Sequence, residues 1–137
     1  MTQEEKQLLI KDLCGRVPYK PKVKVLHVWN EEKEIEEDIM DTVYCVLPDG
    51  YINTETIDSD IPFDDIVLYL RPMSSMTEEE KMEFHHVASL QRNYVGDNVF
   101  YTHWQMNDWL NKKMFDYRGL IPMGLALEAP EEMYKNK

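Results

Sequence analysis

Apolar positions recur with helical spacing near both ends of the chain and with strand spacing between them. Leu9 and Leu13 lie four apart, with Leu8, Ile10 and Cys14 broadening the same side, which predicts a helix over 3–14. Gly15 is expected to end it in a left-handed turn, and Pro18 and Pro21 to prevent its continuation. Residues 22–29 begin with alternation and are rich in β-branched side chains, as a half-buried strand should be. Residues 42–47 read as a second strand, Pro48-Asp49-Gly50 as a tight turn and residues 51–54 as a third strand. Residues 66–70 are nearly all apolar, so this fourth strand is expected to be central or covered on both faces. Phe84, Val87, Ala88 and Gln91 follow helical spacing, with Met82 and Leu90 widening the buried side of a second helix over about 78–90. Met106, Trp109, Leu110 and Met114 share one side of a third, over about 103–114, where Asp108 and Lys112 suit an exposed pair.

Three helix starts carry the same signal: Thr2 with Glu5, Thr77 with Glu80, and Thr102 with Gln105. In such a capping box the threonine oxygen accepts from the third helical N–H, and the Glu or Gln answers the cap's own N–H. Between the fourth strand and the second helix, Pro72 and Thr77 should frame a turn, with Arg71 near acidic side chains or free carbonyls. The whole reads as one α+β domain of 137 residues, long enough to bury a core. A helix over 1–15 precedes a β region over 22–70. That region should form a small antiparallel sheet of about four strands, open or curled toward a barrel. Two C-terminal helices from the helical region 77–130 should pack on it, and residues 131–137 should fray.

Charge changes this picture in the middle of the chain. The net charge is −11, but residues 31–80 hold 16 acids against Lys33 and Arg71, while the remainder is slightly basic. Glu31, Glu32, Glu34, Glu36, Glu37 and Asp38 read as a solvated hairpin loop, and Asp58, Asp60, Asp64 and Asp65 as a second acidic connection. The balance argues against direct nucleic-acid binding, which needs a basic footprint. It suits attraction of a basic partner, or solubility alone.

Candidate chemistry is sparse. Cys14 and Cys45 form no C-x-x-C or Cys/His array and read as reduced, partly buried thiols. His85 and His86 are adjacent and diverge on a helix, and Glu83 with His86 forms one E-x-x-H pair where a di-iron bundle needs two. The carboxylates of 58–65 lack the glycine and terminal glutamate of an EF-hand. With no nucleophile elbow, Walker loop or dinucleotide fingerprint, neither catalysis, metal nor cofactor is expected. No apolar run is long enough to span a membrane, and the N-terminus lacks the basic and apolar parts of a signal peptide, so an intracellular protein is expected. Aromatics cluster late in the chain. Tyr101 and Trp104 fall on a different side of the third helix from Met106, Trp109 and Leu110, which makes them candidates for meeting a partner or a second copy.

Four strings run through the chain in order: residues 12–19 (DLCGRVPY), 69–80 (YLRPMSSMTEEE), 108–111 (DWLN) and 115–121 (FDYRGLI). Together they resemble a family of small proteins of unknown function from Bacteroides-type gut bacteria and their phages and prophages. The resemblance covers about half the chain and omits residues 31–60. It implies a mobile-element setting in a bacterial host cell, and no activity, cofactor or catalytic residue. The expected function is that of a non-enzymatic accessory or interaction protein with a protein partner, or a copy of itself. One alternative is an inhibitor whose acids imitate a nucleic-acid backbone, which requires them on one contiguous face. Another is a small-ligand binder or enzyme, which requires a deep pocket with converging polar groups.

Overall fold

The computed structural model describes residues 1–89, 92–95, 98–101 and 104–135, with the backbone alone for 92–95 and 98–101. Helix α1 (Gln3–Arg16) starts at the expected box. Thr2 N–H donates to Glu5 Oε1 at 2.9 Å, and Glu5 N–H donates to Thr2 Oγ1 at 3.1 Å. Gly15 is not its stop. The helix runs through Gly15, where a side chain would press on Asn111, whose Nδ2 lies 2.7 Å from the site of a Cβ. The left-handed residue is Lys20, after a short 3₁₀ turn at Val17–Tyr19.

Strands β1 (Lys22–Asn30), β2 (Ile35–Leu47), β3 (Tyr51–Thr54), β4 (Ile61–Pro62) and β5 (Ile66–Leu70) follow. Helix α2 (Glu78–Ser89), the hairpin β6 (Arg92–Val95) and β7 (Asn98–Tyr101), helix α3 (Trp104–Lys112) and β8 (Ala126–Glu128) complete the chain. The main sheet has six strands in the order β4-β3-β2-β1-β5-β8, and it is open. Its neighbours are antiparallel except β5 and β8, which pair in parallel from Leu68–Ala126 to Leu70–Glu128. The expectation of a four-stranded, wholly antiparallel sheet with a barrel-like curl is therefore corrected to an α+β fold with a six-stranded mixed sheet.

β2 begins seven residues earlier than its apolar run. Pairing with β1 carries it from Ile35 opposite Asn30 to Thr42 opposite Lys22. Only Glu31 to Glu34 form the turn, so Glu36, Glu37 and Asp38 belong to a strand and not to a loop. The second acidic connection also contains structure: Ile61 and Phe63 are buried, and Ile61 pairs with Ile52.

The core lies between α1 and one face of the sheet. Leu9 and Leu13 meet a cluster with Val23, Val25, Ile66, Leu68 and Leu70, closed by Phe63, Met114 and Leu120. Strict alternation in β1 and β5 sends Val23, Val25, Ile66, Leu68 and Leu70 inward. α3 packs on α1, and α2 packs on α3, with the Phe84 and Trp109 rings 5.4 Å apart. The two later helices therefore form a layer beside α1, where a direct seat on the sheet was expected. Phe84, Val87 and Ala88 are only half-buried, and Met82, placed on the buried side by spacing, is 74% exposed. The tail does not fray before Tyr134. Its buried hydroxyl donates to Tyr69 O at 2.8 Å and accepts from Lys22 N–H at 2.9 Å.

Candidate functional site

The turn between β5 and α2 is built as its local chemistry dictates. Pro72 ends the strand, and Thr77 N–H donates to Glu80 Oε1 at 3.0 Å while Glu80 N–H donates to Thr77 Oγ1 at 3.1 Å. Arg71 places Nη1 and Nη2 each 2.7 Å from a different oxygen of Glu80, and its guanidinium lies 4.2 Å from the Phe115 ring centre. The Arg71 fork, opposed by partial burial and aided by the Thr77 amide, holds the Glu80 carboxyl down at about 2. A groove of about 820 Å³ opens beside this turn, lined among others by Arg71, Thr77, Glu83, Lys113 and Tyr134. Its cations already answer acids of this chain: Arg71 binds Glu80, Lys113 lies 3.8 Å from Glu83, and Lys135 lies 2.9 Å from Glu132.

Three of the four strings that carry the resemblance, 12–19, 108–111 and 115–121, meet in space on the side of Phe115 away from the 69–80 turn. Asp12 and Arg16 form a fully buried, two-point ion pair at 2.8 and 3.0 Å, and Arg16 Nη2 also donates to Phe115 O at 2.8 Å. Arg118 reaches Asp12 at 3.5 Å and donates to the Tyr117 hydroxyl, which donates in turn to Asn111 Oδ1 at 2.9 Å. Asp116 accepts the amides of Leu120 and Ile121 at 2.8 and 2.9 Å. Phe115 stacks on Trp109 with centres 5.8 Å apart. These side chains bind one another and the backbone, so the cluster is a joint between α1, α3 and the segment after it. A one-turn acid–base spacing between Asp12 and Arg16 was the available sequence signal, although it reads equally as a surface pair.

The acidic residues fall into two groups that the structure keeps apart. Glu31, Glu32 and Glu34 lie in the β1–β2 turn, with Glu36 and Asp38 exposed on the adjoining ribbon and Glu37 accepting from Asn30 Nδ2 at 2.8 Å. Asp58, Asp60, Asp64 and Asp65 sit at the far end of β2, beyond β3. Asp60 accepts from Asn53 Nδ2 at 2.6 Å, and Asp64 lies 3.4 Å from the N-terminal amine. Asn53 pairs with Cys45, nine residues along β2 from Glu36, or roughly 30 Å of strand. The arrangement does not form the single contiguous face that a nucleic-acid mimic needs.

Of the aromatic pair expected on the third helix, Trp104 is on α3 and 63% exposed, whereas Tyr101 ends β7. The side chain of Tyr101 lies outside the described residues, and so does Thr102 of the third capping box. Gln105 of that box stands at the second helical position, its Oε1 buried without a hydrogen bond among the described residues. Asp108 accepts from the Tyr19 hydroxyl, which carries it away from the expected pairing with Lys112 and raises the pKa of Tyr19. Cys14 is exposed and Cys45 half-buried. Among the described residues no group of three or more His, Cys, Asp or Glu side chains is placed to hold a metal, and no helix is long and apolar enough to cross a membrane.

The surface that sequence reading missed is the outer face of the sheet. A bulge sets Leu26 and His27 against Asp38, so outward positions on the β1–β2 ribbon are Lys22, Lys24, Trp29, Glu36, Met40 and Tyr44. Trp29, Met40 and Tyr44 are 57%, 56% and 57% exposed. Val67 and Tyr69 of β5 and Leu127 of β8 continue the apolar character across the sheet. Antiparallel sheets with a wet face place polar side chains outward, and here exposed Trp29, Met40 and Tyr44 stand among outward Lys22, Lys24 and Glu36. β5 was expected to be central or covered on both faces. It is central, and its inner residues are buried while its outer ones are half-exposed. The signal was present in β1 and β2 as alternation, hidden by placing the start of β2 at residue 42. No family model, curated protein or solved structure matches the chain.

Proposed function

We propose that this chain is a non-enzymatic interaction protein whose contact surface is the outer face of its sheet. One observation carries the reading: large apolar side chains occupy outward positions of β1, β2, β5 and β8, where a solvated sheet would place polar ones. An aromatic and methionine surface interleaved with a few charges is the composition of a protein interface. The inward side chains of the same strands are anchored in the core, and a preorganised surface lowers the ordering cost of binding. An accessory role in a mobile element, as the sequence resemblance implies, fits a chain that acts by contact and not by chemistry. The reading is tested by placing a photo-crosslinking amino acid at position 40, on the face, and at position 82, more accessible still on α2, in the native cell. Capture from position 40 alone supports it.

A further inference from the structure

We propose that the occupant of this face is a second copy of the same chain, packed face to face through a two-fold axis. The inference rests on the interaction reading above and adds the identity of the partner. Its basis is the order of charges along the β1–β2 ribbon. Lys22 stands opposite Thr42, and Lys24 opposite Met40. Trp29 stands opposite Glu36, and Asp38 lies between those levels. The face is thus cationic at one end of the ribbon and anionic at the other, with Met40 near the change of sign.

A two-fold axis lying between the faces and crossing the strands between Met40 and Asp38 reverses this order in the second copy. Lys22 and Lys24 of each copy then lie over Glu36 and Asp38 of the other. Trp29 of each covers the stretch from Met40 to Thr42, and Tyr44 reaches toward the partner's hairpin turn. Such an isologous contact satisfies both copies at once, as closed dimers require. It also supplies the second layer that the apolar β5 lacks, because two sheets packed about 10 Å apart exclude water from both inner faces.

The test is sedimentation equilibrium of the purified chain, with charge reversals as the specific probe. Wild type is expected to sediment at twice its 16.3 kDa mass. Lys24→Glu and Asp38→Lys should each weaken self-association about tenfold or more, and the double variant should restore it, since these two positions lie over one another across the axis. Circular dichroism of each variant checks that the fold is kept. A wild-type chain that stays monomeric at ~100 μM, well above the Kd of a standard interface, overturns the proposal. So does a dimer indifferent to both reversals, which must form elsewhere. If the chain is monomeric yet position 40 captures a different protein in cells, the face remains an interface and only its occupant was misassigned. If position 40 captures nothing, the interaction reading fails with it.

Discussion

Replacing Glu80 with Gln should destabilise the fold by about 2–3 kcal/mol at pH 7, and the loss should vanish in acid. Glu80 serves two neighbours at once, accepting both prongs of Arg71 at 2.7 Å and the Thr77 amide at 3.0 Å. The pair is mostly shielded, with side-chain exposures of 21% and 12%, so solvent screens it only in part. The carboxyl is held from its ordinary 4.5 down to about 2. At about 1.36 kcal/mol per pH unit, that drop corresponds to on the order of 3 kcal/mol favouring the folded state. Because the folded pKa lies below the unfolded one, this stabilisation is complete above 4.5 and is lost as pH falls through about 2. Gln keeps the shape and one acceptor but not the charge, so the variant should behave at every pH as wild type does in acid. Urea unfolding followed by circular dichroism at pH 7, 5 and 3 reads the gap between the two proteins directly. A chain of this size should also lose roughly 10 °C in Tm at neutral pH. Equal stability at pH 7, or a gap that does not close toward acid, would refute the assignment of Glu80 as the partner that fixes Arg71.

Two further substitutions test the packing around that turn. Gly15→Ala should lower stability by about 1–3 kcal/mol although Ala is the better helix former, because its methyl would press on buried Asn111, and a gain in the urea midpoint would show that α1 does not approach α3 so closely. Tyr134→Phe removes a hydroxyl that bridges Lys22 N–H and Tyr69 O, and should cost about 1–2 kcal/mol in the same assay, whereas no loss would mean that the C-terminal segment is not docked.

What the sequence made legible was local. The capping boxes at Thr2 and Thr77, the stop at Pro72 and the alternation of β1 are set by neighbours a few residues away, and the structure keeps each of them. What it hid was decided at long range. Gly15 resembles a helix stop until Asn111 is found beside it. Glu36 to Asp38 resemble a loop until β1 pairs with them, and the register then turns Met40 and Trp29 outward. β8 has three residues in a stretch rich in glycine and proline, and only its parallel seat on β5 makes it a strand. Asp12 and Arg16 look like a surface pair and are buried, because the segment after α3 folds over them. The interaction surface belongs to this second class, for it exists only once register and bulge fix which side chains face out.

The central claim is that the outer sheet face is occupied in the cell. Photo-crosslinking from position 40, with position 82 as the comparison, measures it most directly, since Met82 is the more exposed of the two at 74% against 56%. Chance encounter therefore favours position 82. A protein adduct from position 40 and none from position 82 is the predicted result. No adduct from position 40, or equal capture from both, would contradict it.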